Sequence, residues 1–203
     1  MNVIGFVGPI AGGKSFAAQL LRDRGFMYFS LSDEVRIEAA SRGLVTERTI
    51  LQDVGNDLRE KFGNDVLAVR VAQRIGESQV DNVVIDGIRH PGEVAHIRAY
   101  LGGRIIAVTA DANTRWERLR LRNRSSDPKI RAEFDRADSR VLGVGEESHG
   151  QQVSACIALA DVVIENTDGK EALQEKLLEA LASFIVEGGA ETIEYSGRPI
   201  EQE

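Results

Sequence analysis

Short runs of apolar residues alternate along the chain with longer segments in which apolar residues recur every three or four positions. The runs predict strands buried on both faces, and the recurring positions predict amphipathic helices. The strands are predicted at 2–7, 26–29, 82–87, 104–109 and 161–165. The helices are predicted at 14–22, 32–42 with Ser32 as N-cap, 47–61, 64–75, from Pro91 onward, 113–122 and 168–186. Alternating strands and helices predict an α/β fold with a parallel sheet covered on both faces.

The domain organisation follows from the same pattern. A chain of 203 residues suits one α/β domain, which we assign to residues 1–186. Residues 187–203 contain GG, SG and RP and are rich in glutamate, so we expect an acidic, flexible tail. Within it, Thr192–Tyr195 could add an edge strand.

Composition and charge narrow the classes of function. A net charge of -7 argues against broad electrostatic binding to nucleic acid, although a local basic patch stays open. The single cysteine, Cys156, excludes an intrachain disulfide and fits a reducing compartment. No basic leader with an apolar segment and no stretch of about 18 apolar residues occurs. We therefore expect a cytoplasmic protein without a membrane partner, as a monomer or homodimer.

The first predicted strand runs into a glycine-rich loop. Gly8–Ser15 (GPIAGGKS) fits the pattern G-x-x-x-x-G-K-[ST] and has the strand before it and the helix after it that this pattern requires. Such a loop turns backbone N–H groups toward phosphate oxygens, while its lysine reaches the β- and γ-phosphates and its hydroxyl binds Mg²⁺. We therefore expect ATP and Mg²⁺ as cofactors. The predicted nucleotide-binding residues here are Gly8, Ala11, Gly12, Gly13, Lys14, Ser15 and Phe16.

Two pairs of charged residues follow the next strands. Asp33 and Arg36 lie three residues apart after the second strand, and Asp86 and Arg89 do so at the end of the third. Each pair could be a structural ion pair, but strand ends in such sheets border the ligand crevice. Asp86 is predicted to bind Mg²⁺ together with Ser15. Arg36 and Arg89, with Asp33, are predicted to bind an anionic acceptor, and Asp33 and Asp86 are predicted to be catalytic.

An arginine-rich segment spans about residues 115–142. Helical spacing places three arginines on one stripe: Arg115, Arg118 and Arg122. The stripe is either a solvated helix face or part of a lid that neutralises charge on the transferring phosphoryl group and excludes water. Together with Lys14, the arginines that we expect to act in catalysis are Arg122, Arg124 and Arg136.

Taken together, GPIAGGKS, SLSDEVR, VVIDGIR and the arginine-rich segment resemble the P-loop nucleotide-kinase group, which includes adenylate kinase-like and dephospho-CoA kinase-like proteins. DPKIRAEFDRADSR and ALADVVIENTDG are most similar to uncharacterised archaeal and phage-type members. The resemblance covers about residues 2–186. It implies a three-layer P-loop NTPase sandwich with a five-stranded parallel sheet and a small lid. It also implies that Arg36 holds an acceptor monophosphate and that the loop at Asn166 lines the adenine.

The leading hypothesis is an ATP-dependent phosphotransferase acting on a nucleotide or nucleotide-like small molecule, above all a (deoxy)nucleoside monophosphate. One alternative is a kinase directed at a hydroxyl group, in a dephospho-CoA-like acceptor or a modified nucleoside in DNA. Another is an ATPase that hydrolyses without transfer. Asp33 separates the first two, because a hydroxyl acceptor benefits from a carboxylate base and a phosphate does not.

Overall fold

The computed structural model describes residues 1–124 and 127–187, which form five strands and nine helices. The strands are β1 (Asn2–Val7), β2 (Met27–Ser30), β3 (Asn82–Ile88), β4 (Arg104–Thr109) and β5 (Val162–Glu165). The helices are α1 (Lys14–Arg22), α2 (Leu31–Ser41), α3 (Arg48–Phe62), α4 (Val66–Ser78), α5 (Pro91–Leu101), α6 (Ala112–Arg122), α7 (Arg131–Leu142), α8 (Val153–Ala158) and α9 (Lys170–Glu187). No helix in these ranges is long and apolar enough to cross a membrane.

The strands form one parallel sheet in the order β2-β3-β1-β4-β5. Strand β1 is central, pairing with β3 on one side and β4 on the other. The chain order therefore reverses at β1, and ligands of open α/β sheets bind in the crevice beyond the strand ends at such a point. The loop after β1 lies at that position.

Helices cover both faces of the sheet, as the sequence predicts. On one face, α2–α8 enclose the larger apolar core, which includes Leu58, Ile85 and Phe134. On the other face, α1 and α9 close a smaller core that includes Phe6 and Leu173. The predicted α/β three-layer sandwich with a five-stranded parallel sheet is confirmed.

Some elements differ from the sequence-based prediction. Helix α2 has Ser30 rather than Ser32 as its N-cap, because Leu31, Val35 and Ala39 form a buried stripe that begins directly after β2. Helices α7 and α8 were not predicted, and their buried residues are few and widely spaced. Thr192–Tyr195 and the predicted tail beyond Glu187 lie outside the described residues.

Candidate functional site

A polar crevice of about 590 Å³ opens at the carboxyl ends of the strands. The loop after β1 forms one wall, and residues that follow β2 and β3 form another. Ten of the predicted site residues line it: Gly8, Ala11, Lys14, Ser15, Asp33, Arg36, Asp86, Arg89, Arg122 and Arg124. Residues far apart in the chain thus share one cavity.

The phosphate-binding loop has the backbone that its sequence requires. Gly8 has a φ of 147°, and a Cβ there would collide with the carbonyl oxygen of Val108 on the adjacent strand β4. Ala11 also has a positive φ, 58°, which is uncommon for a residue with a side chain and marks a constrained turn. Lys14 Nζ donates to the carbonyl oxygens of Gly8, at 2.7 Å, and Pro9, at 2.8 Å. The loop is therefore wrapped around the ammonium group of its own lysine.

The surroundings of Lys14 disfavour its charged form. Burial lowers the pKa of Lys14 to about 8, against the opposing effect of the Asp86 carboxylate. The guanidinium groups of Arg89 and Arg115 lower the pKa further. An anionic ligand would remove this penalty, because its charge favours the protonated lysine.

Asp86 occupies the end of β3, where it is buried with only 9% of its surface exposed. Its Oδ1 accepts a hydrogen bond from the backbone N–H of Gly87 at 2.7 Å, and its Oδ2 accepts one from the Tyr28 hydroxyl at 3.3 Å. Burial, followed by the Asp86 charge, raises the pKa of Tyr28 to about 12. Tyr28 is therefore a hydrogen-bond donor that orients Asp86.

The residues present fit a Mg²⁺ ion. The Asp86 carboxylate and the exposed Ser15 hydroxyl both line the crevice, and hard oxygen ligands of this kind suit Mg²⁺. Within residues 1–124 and 127–187, no group of three or more His, Cys, Asp or Glu side chains could hold a metal by itself. The site therefore resembles those in which Mg²⁺ binds one or two protein oxygens and completes its shell with phosphates and water.

The two arginines that were predicted to bind the acceptor differ in environment. Arg36 Nη1 lies 2.7 Å from Asp33 Oδ1, and both side chains are about half exposed at the crevice. Arg89 lies deeper, where its Nη2 donates to Ser32 Oγ at 3.2 Å. Burial, followed by the charges of Arg48 and Arg59, lowers the pKa of Arg89 to about 10. The deeper arginine thus sits among like charges that an anion would offset.

The three lid arginines that were predicted to be catalytic, Arg122, Arg124 and Arg136, lie in two different cavities. Arg122 Nε donates to Asp127 Oδ2 at 2.8 Å. Burial alone would raise the pKa of Asp127, but hydrogen bonding and the charge of Arg122 outweigh it and hold the pKa below its usual value. Arg124 lines the crevice as well. Arg136 does not: it lines a neighbouring cleft of about 780 Å³ between the start of α3 and α7.

Arg115, predicted to lie on a lid stripe, is instead a buried structural residue. Its Nη2 donates to Asp138 Oδ2 at 2.8 Å, and its Nη1 donates to the carbonyl oxygen of Ile10 at 3.3 Å. Phe134 of α7 is fully buried. A lid comprising all of 115–142 therefore could not swing open without exposing Phe134 and breaking the hydrogen bond from Arg115 to the carbonyl oxygen of Ile10. Whether a shorter part moves stays a prediction.

Two of the predicted nucleotide-binding residues, Asn166 and Phe16, are not among the residues that line the crevice. Asn166 is buried, and its Nδ2 donates to the carbonyl oxygen of Gly12 at 2.9 Å. Arg118 Nη2 donates to the carbonyl oxygen of Asn166 at 2.8 Å. Phe16 packs against the smaller core, with the Lys170 ammonium 5.6 Å from its ring centroid. Gly13 lies against Asn166, so Asn166 positions the loop rather than lining the crevice.

Sequence reasoning missed two further arginines of the crevice, Arg48 and Arg59, which both belong to α3. Arg59 Nε donates to Oε1 of the fully buried Glu93 at 3.0 Å. Oε2 of Glu93 accepts from the backbone N–H groups of Arg89, at 2.7 Å, and His90, at 3.1 Å. Glu93 thereby fixes the turn that carries Arg89. No local motif marks these residues, because Arg59 and Glu93 are 34 residues apart in the chain and meet only in the folded protein.

His90 follows Arg89 directly in the chain and caps the N-terminus of α5. Its Nδ1 accepts a hydrogen bond from Gly92 N at 3.0 Å, and its Nε2 lies 2.9 Å from the carbonyl oxygen of Ser148. Since Nδ1 accepts, Nε2 carries the proton and donates to Ser148. Burial lowers the pKa of His90, which keeps this neutral form.

Comparisons with known proteins agree with the fold. The AAA_18 family model, described as an AAA domain, matches residues 4–141. The chain is 35% identical over 167 residues to a UPF0200 protein of Methanothermobacter thermautotrophicus, covering 82% of both proteins. It is 37% identical over 185 residues to a UPF0200/UPF0201 protein of Archaeoglobus fulgidus, covering 89% of this chain and 55% of that protein. The chain thus spans about half the length of this relative.

Among solved structures, shikimate kinase from Aquifex aeolicus is similar over 93% of this chain and 99% of that one, with a TM-score of 0.51 and 18% identity. At this identity the likeness concerns the fold. The predicted resemblance to P-loop kinases and to archaeal relatives is confirmed. The chain therefore belongs to the AAA domain family and to the UPF0200 proteins, and it has the fold of a P-loop kinase.

Proposed function

We propose that the protein is an ATP- and Mg²⁺-dependent phosphotransferase whose acceptor is a nucleotide or nucleotide-like small molecule, with a nucleoside monophosphate as the preferred class. One observation carries the proposal: Arg36 and Arg89 share a single crevice with the phosphate-binding loop. A crevice with cations on both sides suits two phosphorylated ligands that face each other.

The donor phosphates bind at the loop. Backbone N–H groups after β1 and the N-terminus of α1 point at them, and Lys14 exchanges the carbonyls of Gly8 and Pro9 for phosphate oxygens. Asp86 and Ser15 hold Mg²⁺, which, when bound, offsets the negative charge of the phosphates. Arg122 and Arg124 line the same crevice and stabilise charge on the transferring group.

The acceptor binds under the arginines that follow β2 and β3. Its phosphate takes the forked donors of Arg89 and the exposed guanidinium of Arg36, which orients an acceptor oxygen toward the γ-phosphate. Water as the acceptor would need no such pair of arginines. This is why transfer is favoured over hydrolysis.

A second candidate is a kinase directed at a hydroxyl group. Asp33 favours it, because its carboxylate lines the crevice and is about half exposed, so it is available as a base. The Asp33–Arg36 contact favours the first candidate instead, since it leaves the carboxylate engaged with the arginine that would bind a phosphate. A small-molecule partner fits the crevice, and the net charge of -7 does not favour nucleic acid.

The test is to incubate the protein with ATP and Mg²⁺ and a panel of acceptors, and to measure ADP. The panel comprises nucleoside monophosphates, dephospho-CoA and nucleosides. We expect ADP formation to depend on one acceptor class. Arg89→Met should raise the KM for that acceptor by about 10- to 100-fold, the usual range for a lost charged hydrogen bond. Arg120→Met is the matched control, because the Arg120 side chain is exposed on α6, pairs with the exposed Glu117 and is not among the residues that line the crevice. ADP release at one rate with every acceptor and with none would overturn transfer.

A further inference from the structure

The second cavity of the molecule is the cleft of about 780 Å³ between the start of α3 and α7, which we call the α3–α7 cleft. Exposed residues line both of its walls, Thr46 and Thr49 at the start of α3 and Arg136 on α7. Of its described lining residues, Thr46 and Arg48 also line the crevice that contains the phosphate-binding loop. The cleft is therefore open to solvent and adjoins the crevice without being part of it.

Arg48 lies between the two cavities, and its guanidinium is poorly satisfied. Its Nε is buried without a hydrogen-bond partner among residues 1–124 and 127–187. Its Nη2 lies 3.7 Å from Asp127 Oδ1, beyond hydrogen-bond distance, and both oxygens of that carboxylate already accept from Arg122. Burial lowers the pKa of Arg48; the Asp127 charge opposes this effect, and the charges of Arg122 and Arg36 add to it. An anion beside Arg48 would supply the missing partner.

The first turn of α3 brings backbone donors to the same wall. The helix has 15 residues, its N-cap Glu47 makes no side-chain capping hydrogen bond, and its first turn contains no acidic residue. The first helical hydrogen bond is the one that Leu51 N donates to the carbonyl oxygen of Glu47 at 3.0 Å. Because Arg48 and Thr49 precede Leu51, their N–H groups have no partner within the helix. The positive end of the helix dipole therefore lies at the cleft.

Gln52 and Arg136 add side-chain donors from the two walls. Gln52 lies one turn along α3 from Arg48, is only 3% exposed, and has an Nε2 without an acceptor in the described part of the chain. The two buried atoms that lack partners on this wall, Arg48 Nε and Gln52 Nε2, are both donors, so the wall lacks an acceptor. On the opposite wall, Arg136 is exposed and forms no ion pair or hydrogen bond with any described residue.

The carboxylates of the cleft do not supply this acceptor. Three acidic residues line it: Glu47, Asp127 and Glu133. Asp127 is engaged with Arg122, and Glu133 Oε2 accepts from the backbone N–H of Lys129 at 2.8 Å. The remaining lining arginine, Arg140, is paired with Asp53 and Glu146. Among the described lining residues, Arg48 and Arg136 therefore stand against Glu47 alone, an excess of positive charge to which the helix terminus adds.

From these features we propose that the α3–α7 cleft binds a small molecule through an oxyanion, a phosphate or a carboxylate, held by Arg48, Arg136 and the first N–H groups of α3. The inference does not rest on the proposed function, because the oxyanion binds outside the crevice. Forked guanidinium donors and a helix N-terminus both suit an oxyanion. The rest of the ligand contacts the apolar lining residues: Val45, Pro128 and Ala137. A cleft of about 780 Å³ has room for such a molecule.

The test is an NMR titration of the isotope-labelled full chain with inorganic phosphate. The backbone amide of Thr49 and the side-chain amide of Gln52 report on the cleft, and the backbone amide of Lys14 reports on the crevice. We expect the Thr49 and Gln52 signals to shift and to saturate. Acetate tests a carboxylate in the same way, and sodium chloride at equal ionic strength is the control for screening. Tighter binding of phosphate than of acetate assigns the ligand a phosphate group, and the reverse assigns it a carboxylate.

Two variants should change this affinity in opposite directions. Arg136→Met should weaken binding at the cleft by about tenfold, as for loss of a charged hydrogen bond. Glu47→Gln removes the competing carboxylate and should strengthen binding by about two- to fivefold. Arg131→Met is the matched control and should change it by less than about twofold, because Arg131 is exposed on the same helix, pairs with Asp135 and is not among the lining residues.

Three results would overturn the site. The first is a shift of the Thr49 and Gln52 signals with chloride that equals the shift with phosphate. The second is an equal effect of Arg136→Met and Arg131→Met on binding. The third is a response to phosphate and acetate that is confined to Lys14 and its loop, which would leave the proposed function standing.

Discussion

Arg115 and Asp138 form a buried, bidentate ion pair directly behind the phosphate-binding loop. The same guanidinium donates to the carbonyl oxygen of Ile10 in the loop and, through Nε, to that of Ala110 at the end of β4. The Arg115 side chain of α6 therefore connects α7 and the end of β4 to the phosphate-binding loop. The position of that loop depends on a helix that the loop motif does not include.

Breaking this pair should destabilise the fold strongly. Asp138→Asn leaves Arg115 buried without a counter-charge, which typically costs about 3–5 kcal/mol. Asp135→Asn is the matched control on the same helix, since Asp135 forms an exposed pair with Arg131 and should cost less than about 1 kcal/mol. Urea unfolding measures both. Equal losses of stability in the two variants would contradict the structural role of Arg115.

The depressed pKa of Lys14 predicts an effect of pH on both stability and ATP affinity. The unfolded chain has the ordinary lysine pKa of 10.5 and the folded protein one of about 8. Between these values the unfolded state binds more protons, so the contribution of Lys14 to stability rises with pH across that window. ATP favours the charged lysine, so its affinity should fall by up to about tenfold per pH unit above pH 8.

Proton uptake tests this directly. At pH 8.5 to 9, ATP binding should draw a proton onto Lys14, which calorimetry in two buffers of different ionisation enthalpy would detect. Lys14→Arg is the control, because arginine stays charged and should bind without uptake. Uptake of the same size in Lys14→Arg would show that another group titrates.

Asp33 separates the two acceptor chemistries. For a phosphate acceptor, which is already a nucleophile, Asp33→Asn should reduce kcat by less than about tenfold, because only the contact with Arg36 is altered. For a hydroxyl acceptor the same change removes a base and should cost about 100- to 10,000-fold. Steady-state kinetics with both acceptor classes decide between them. Small and equal losses on every acceptor would remove Asp33 from the mechanism.

Glu93 should act on the acceptor through Arg89. Glu93→Gln weakens the buried pair with Arg59 and places an amide against the turn at Arg89, so the unfolding free energy should fall by about 3–5 kcal/mol. Because the acceptor arginine shifts while the nucleotide loop does not, the acceptor KM should rise about tenfold and the ATP KM should stay unchanged. Glu117→Gln, on the exposed face of α6, is the control. Equal changes in both KM values would indicate a general loss of structure.

The sequence predicted the sheet well because its strands are buried on both faces, and continuous apolar runs such as that of β3 have few other interpretations. It also predicted the phosphate-binding loop, since β1, the glycines and Lys14 are contiguous in the chain. Helix α7 was missed because its surface carries many charges and only Phe134, Asp138 and Val141 are buried. A weak apolar stripe gives a weak periodic signal.

The site residues that directly follow a strand could be predicted from the sequence. Those that reach the crevice only through tertiary packing could not. Asp86 and Arg89 follow an apolar run, so their place at the crevice could be inferred. Arg48 and Arg59 lie within α3 with no distinguishing neighbours, and Arg115 resembles the exposed arginines around it. Whether an arginine pairs inside the protein or faces a ligand depends on partners such as Asp138, which is 23 residues along the chain from Arg115.

The hydrogen bonds that Lys14 makes to its own loop affect how ATP binding should be interpreted. In the free protein this ammonium group already donates hydrogen bonds to the carbonyls of Gly8 and Pro9. A phosphate therefore replaces two existing hydrogen-bond acceptors and does not bind a cation that lacks partners. The observed affinity therefore reports a difference between two bound states of the same lysine. A variant that weakens the internal contacts without touching the ammonium would bind ATP more tightly than the native chain while being less stable in its absence.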